Sequence, residues 1–173
     1  MGYFSTDGCT IGAVILSDSQ KNVINQVTEG TAFINPVKEN INGLSASITP
    51  SSTSSKILVY AKTDGGMDSS SDRPLYYRIL RGSTVVGAGA DVGNRKGISF
   101  SGGGFKDVTR SVTSQSSHFL DSPNSIAQQT YKIQVTHEAN GTATVYVNRG
   151  ELDDNTTQTY RGISVITLME VSG

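Results

Sequence analysis

A single cysteine, no tryptophan, nearly balanced charge and no long apolar run set the first limits on this 173-residue chain. Lone Cys9 excludes an intrachain disulfide framework and any multi-cysteine metal site, so stability has to come from packing or from partner chains. The plain reading of Cys9 is a small residue in a loop or arm rather than a reactive thiol. With 14 Lys and Arg against 15 Asp and Glu, the net charge of -1 supplies no field that would gather nucleic acid or an anionic membrane. No stretch of about 18 apolar residues is present for membrane insertion. The start, Met1-Gly2-Tyr3-Phe4-Ser5-Thr6, lacks the basic and then apolar order of a secretory leader. The chain therefore reads as one made and kept soluble in a cytosol.

Its polarity is mostly uncharged. Charged residues make up 17% and hydrophobic ones 35%, with 19 glycines and abundant Ser and Thr, residues that are poor in helix interiors and good in strands and turns. The most informative stretch is Gly43 to Val59, where Ser51-Ser52-Thr53-Ser54-Ser55 after Pro50 joins two strand-like runs: strand, corner, strand. Period-two alternation follows at Ile57/Val59/Ala61, Ile133/Val135 and Val145/Val147. Residues 161–171 end with apolar side chains on both faces, the signature of a central or interface strand. Further strands are expected at 13–16, 23–27, 31–34, 44–49, 75–81, 84–87, 98–101, 108–113 and 117–120. Asn140-Gly141 and Arg81-Gly82-Ser83-Thr84 supply hairpin turns. Residues 63–74 and 151–158 read as exposed loops, and any helix is confined to a turn or two at 122–129. About ten short strands without crossover helices predict an all-β, antiparallel two-sheet sandwich, with a jelly roll ahead of an immunoglobulin-like arrangement. At this length one domain is expected, residues 11–173, preceded by a short arm, residues 1–10.

Candidate chemistry is sparse. Gly87-Ala88-Gly89-Ala90-Asp91-Val92-Gly93 is one residue too long for a dinucleotide fingerprint, and the residues after it do not open a helix. Ser101-Gly102-Gly103-Gly104-Phe105-Lys106 lacks the ending of a phosphate cradle and reads as a bend. His118 and His137 are the two possible general bases, but no nucleophile elbow or paired carboxylates accompany them, so no catalytic residue is assigned. Asp64, Asp68 and Asp72 are spaced by four, unlike alternate-position calcium ligands, and no metal or cofactor is assigned. Tyr76, Tyr77, Tyr131, Tyr146 and Tyr160 fall in or beside strands, where such rings pack into a sheet, face a neighbouring subunit or stack on a sugar.

Several segments, in order and spacing, resemble one protein family. Leu80-Arg81-Gly82-Ser83-Thr84-Val85-Val86-Gly87, Phe119-Leu120-Asp121-Ser122-Pro123-Asn124, Thr130-Tyr131-Lys132-Ile133-Gln134-Val135, Tyr146-Val147-Asn148-Arg149 and Ile166-Thr167-Leu168-Met169-Glu170-Val171, with the 43–59 block, are similar to a virion domain of marine and freshwater tailed bacteriophages. The resemblance runs from about residue 11 to the C-terminus. It implies a tumour-necrosis-factor-like jelly roll, commonly trimeric and non-enzymatic, found at tail-fibre tips or free-standing on the particle surface. With no coiled-coil heptads or β-helix repeats as a stalk, the expectation is a homotrimeric capsid decoration or cement protein on the virion surface, partnered by the major capsid protein or another virion protein. The second reading is a tail-fibre or spike-tip module that binds host-surface glycan through the 63–74 and 151–158 loops. Tyr3 and Phe4 are the expected virion anchor. Tyr76, Tyr146, Ile166 and Leu168 are the expected inner or subunit-facing positions.

Overall fold

In the computed structural model, the described residues are 5–6, 9–10, 22–27, 31–34, 39–67, 74–102, 109–137 and 144–173. They contain thirteen strands: β1 Ser5–Thr6, β2 Cys9–Thr10, β3 Asn22–Val27, β4 Thr31–Ile34, β5 Glu39–Ile48, β6 Lys56–Met67, β7 Leu75–Arg81, β8 Thr84–Val86, β9 Phe100–Gly102, β10 Thr113–Asp121, β11 Gln129–His137, β12 Thr144–Val147 and β13 Ser164–Val171. There is no helix among the described residues, including 122–129, of which 122–128 run without regular structure and Gln129 opens β11. Of the expected strands, 13–16 lies outside the described residues. Residues 109–112 turn toward a strand that begins only at Thr113.

Strand β6 organises the first sheet. One edge pairs with β10 from Ile57 to Gly65; the other pairs with β13 over Lys56 to Lys62 and then with β12 over Gly65 to Met67. Since β10 already holds one edge of Gly65, β12 must continue the column begun by β13. Beyond them β3 pairs with β13 and β4 with β12, so those two also share a column. Across the first sheet the order is β3/β4, β13/β12, β6, β10. In the second, β5 pairs with β11, β11 with β7, and β8 and β9 divide the far edge of β7. Every pairing is antiparallel. The chain changes sheet at each connection from β4 onward, except from β7 through β9 and from β12 to β13. Its first and last columns end side by side, the wrapping of a jelly roll. Among the described residues β1 and β2 pair only with each other.

Alternation decides the core. Ile57, Val59 and Ala61 of β6 and Ile166 and Leu168 of β13 face Leu44, Tyr77, Ile79, Tyr131, Ile133 and Val135 across the sandwich. Tyr77 stacks on Phe100 with ring centroids 4.8 Å apart. The expected loop at 63–74 is corrected at its start: Thr63 to Met67 extend β6 and are buried. Gly65 and Gly66 hid this continuation, because they look like loop residues, yet a Cβ on Gly65 would lie 2.8 Å from the Tyr77 hydroxyl.

The turn 81–84 forms as expected, with Arg81 opposite Thr84 and Gly82 at φ +58°. Gly87, at φ +60°, is fixed by packing: a Cβ there would sit 2.6 Å from the Phe119 ring. Gly87→Ala is expected to cost about 1–3 kcal/mol, combining overpacking with left-handed backbone strain. Phe119→Leu should return part of that loss in the double variant, and equal denaturation midpoints for Gly87→Ala and wild type would refute the close packing. Leu168→Ala should cost about 2–5 kcal/mol by urea unfolding, as for a side chain with no exposed surface.

Candidate functional site

The Ser/Thr corner that stands out in the sequence is closed by a carboxylate from the far end of the chain. Alternation points Glu170 of β13 inward, where it is 1% exposed. Its Oε1 accepts from the Ser51 N–H at 2.7 Å and from the Ser51 hydroxyl at 2.6 Å. Burial opposes this charge, but the Ser51 and Ser55 hydroxyls and the Ser51 N–H outweigh it and hold the carboxyl below its ordinary range. In the same inward row lies Asp121, which accepts from Arg81 Nη1 at 2.6 Å and from the Tyr131 hydroxyl at 2.7 Å. Burial, then donation to Asp121, pushes the Tyr131 phenol up.

A second polar knot joins β12 and β13 end to end along β6. Asn148, at φ +63°, donates its N–H to the Asp64 carbonyl at 2.8 Å. The Ser164 hydroxyl donates to Asn148 Oδ1 at 2.6 Å and accepts from the Asp64 N–H at 3.2 Å. Asp64 Oδ2 accepts from Lys62 Nζ at 2.8 Å and from the Ile163 N–H at 2.9 Å. Burial works against the Asp64 charge, and Lys62, Ser114 and Ile163 more than offset it, so its pKa is lowered. Asp64 is therefore a structural residue in a strand. Asp68 and Asp72 lie outside the described residues, and no group of three metal-capable side chains occurs among the described ones. His118 is exposed on β10, whereas His137 is buried at the end of β11. Neither is hydrogen-bonded to a serine or carboxylate among the described residues.

What remains is surface, and the two outer faces differ. On the first sheet, register brings together the rows Leu120–Leu58–Met169, His118–Tyr60–Thr167 and Ser116–Lys62–Val165. Leu120 is 44% exposed and Tyr60 39%, while Leu58, Val165 and Met169 are half-buried. On the second sheet the matching rows are Ser47–Thr130 and Ser45–Lys132–Leu80–Val85, with Gln134–Arg78 and Thr136–Tyr76 further along, and Val85 is exposed. The first face carries an apolar stripe across three strands; the second is hydroxyl-rich on β5 and β11 and apolar at Leu80 and Val85.

Tyr3 and Phe4 lie outside the described residues. Tyr76 is half-buried on the outer side of β7 beside Thr136 and Ser101. Tyr146 is half-buried under the Arg149 guanidinium, 4.5 Å from its ring centre. Ile166 and Leu168 take the inner of their two expected placements. At 0% exposure within one chain, neither leaves surface for a second subunit, so as subunit contacts they are corrected: inward alternation commits both to the core. The stripe at Leu58, Tyr60 and Leu120 escaped sequence reading because apolar residues on both faces of β6 register only once β10 and β13 align beside them. The 151–158 loop is exposed as expected and pinned by Arg110 to Asp154 and Arg161 to Asp153, with Tyr160 beside it 69% exposed.

No family model matches this chain, and no curated protein does. Among solved structures it is similar to that of the infectious bursal disease virus Gx strain, at 10% identity and a TM-score of 0.42. The match covers 98% of this chain and 42% of the other, so the chain spans less than half the length of that protein. At these values the likeness carries no functional argument.

Both lowered carboxylates make stability depend on acid in one direction. A group whose folded pKa lies below its unfolded value stabilises the protein above the ordinary carboxylate range, and that contribution is lost as pH falls through the folded pKa. Glu170→Gln should cost about 1–3 kcal/mol at neutral pH, as for a hydrogen-bonded charge. Its melting temperature should also fall less steeply with acid than wild type's. Parallel melting curves for the two proteins down the acid series would show that Glu170 is not held as an anion.

Proposed function

We propose that this chain is a non-enzymatic structural protein of a tailed-bacteriophage virion, a capsid decoration or cement protein that binds the outer shell as a homotrimer. The observation that carries this reading is the apolar stripe that runs across three strands of the first sheet's outer face. A face bearing Leu58, Tyr60, Leu120, Val165 and Met169 gains by being covered. The ordered sequence blocks that resemble tailed-phage virion domains supply the setting. In a shell, symmetry multiplies a modest contact, so a stripe of this kind suffices to hold many copies in place. Tyr3 and Phe4, two aromatics flanked by small polar residues, add an anchor on the arm that precedes the sandwich.

The second reading is a tail-fibre or spike-tip module for host-surface glycan. Its support is the ion-paired loop that presents Tyr160 near Asp153 and Asp154, an amphipathic ring beside hydrogen-bond acceptors. Copy number separates the two: hundreds per particle fit decoration, a few dozen fit tail attachment.

Tyr60→Lys and Leu120→Lys sit at exposed positions and should each change stability by no more than about 0.5 kcal/mol. Combined, they should weaken binding to particles stripped of this protein by more than about tenfold, equivalent to about 1.4 kcal/mol. Deleting residues 1–10 should weaken the same binding while leaving the sandwich folded. Unchanged saturation curves for the double variant would remove the first sheet's outer face from the docking surface.

A further inference from the structure

A sheet in a soluble protein is usually guarded at its edges by a charge, a proline, a bulge or a very short strand, because bare N–H and C=O groups otherwise recruit another strand. The second sheet obeys this rule. Its β5 edge begins with Glu39, bends at Gly43 with φ +80°, and lies opposite a register break between Lys132 and Gln134. Its other edge is divided between β8 and β9, each of 3 residues.

The first sheet is different. β10 runs for 9 residues in unbroken register with β6, contains no proline or lysine, and carries no acid or base of fixed charge before its last residue, Asp121. No described residue pairs with its outer edge. The opposite edge, made by β3 and β4, has the sequence Asn-Val-Ile-Asn-Gln-Val and Thr-Ala-Phe-Ile, without a single charge, and no described residue pairs with it either.

We infer that these two edges are one interface: β10 of one copy pairs with the β3/β4 edge of a second copy of this chain. Direction supports that match. β10 is antiparallel to β6, whereas β3 and β4, each antiparallel to a strand that is itself antiparallel to β6, run with it. A copy rotated about an axis along the strands therefore presents β3/β4 antiparallel to β10, the geometry of an ordinary ladder. Charge supports it too, since no like charges meet. A two-fold β10 to β10 contact would leave the β3/β4 edge bare; the head-to-tail contact satisfies both edges of every copy. Such contacts close into a ring when the rotation permits. Closure at three rests on the trimer proposed above, but the choice of edges does not.

The test uses the full chain. Ser116→Lys with His118→Lys adds two charges at exposed positions of β10, and Ser116→Ala with His118→Ala serves as its control. By light scattering, wild type and control should form the same closed oligomer. The lysine variant should give a mass roughly threefold lower, with an unchanged strand signature in circular dichroism. Amide exchange should show β3 and β10 protected together in the oligomer and released together in the lysine variant. An oligomer of unchanged mass in the lysine variant, or one whose β3 and β10 edge amides exchange as fast as loops, overturns the edge pairing while leaving a trimer built through another surface. A wild type that is monomeric across micromolar concentrations overturns both. Open filaments overturn the ring but retain the edges.

Discussion

The structure depends on a single strand whose two edges are both occupied. β6 lies between β10 on one side and the column of β13 and β12 on the other, so each of its backbone groups in the paired region meets a partner. At 12 residues it is the longest strand described, and its inward side chains, from Ile57 to Met67, line the core from end to end. Removing its alternation would take away the floor against which Tyr77, Tyr131 and Ile133 pack. This long central strand also makes the first sheet a template: neighbours align on β6, and β3 and β4 align on those neighbours.

Such a sandwich has a weakness where strands end, because inward-facing positions there are half in the core and half in solvent. Polar side chains settle those places. At the corner end, Glu170 is held by Ser51 and Ser55, while Asp121 is held by Arg81 and Tyr131. Where β12 gives way to β13, Asp64, Asn148 and Ser164 complete the hydrogen bonding that the interrupted ladder leaves undone. A carboxylate is costly to bury, but one that accepts several short hydrogen bonds fixes a geometry that apolar contacts would leave loose. These acidic groups are parts of the scaffold.

Some of this was legible in the residues alone. Alternation at Ile57/Val59/Ala61, Ile133/Val135 and Val145/Val147 marked half-buried strands, because a period of two is a local property of an extended chain. Gly82-Ser83 marked a hairpin for the same reason: a positive φ is tolerated by few residues. The corner after Pro50 was also visible, although its partner was not. Sequence reading went astray at Thr63 to Met67, where Gly65 and Gly66 suggest a loop. Their lack of side chains instead admits the Tyr77 hydroxyl and the backbone of residues 111 and 149.

The sequence by itself determined the extended character of the chain, the places where it turns and the faces available to each strand, since these follow from φ, ψ preferences and side-chain branching within a few residues. Only the tertiary structure decided which strands became neighbours. That choice sent Ile166 and Leu168 wholly into the core, turned Leu58 and Tyr60 beside Leu120 and Met169 into a stripe, and placed Glu170 against a corner 119 residues away. Such pairings are set by the joint fit of two sheets and by ladders between distant segments, and no local propensity encodes them.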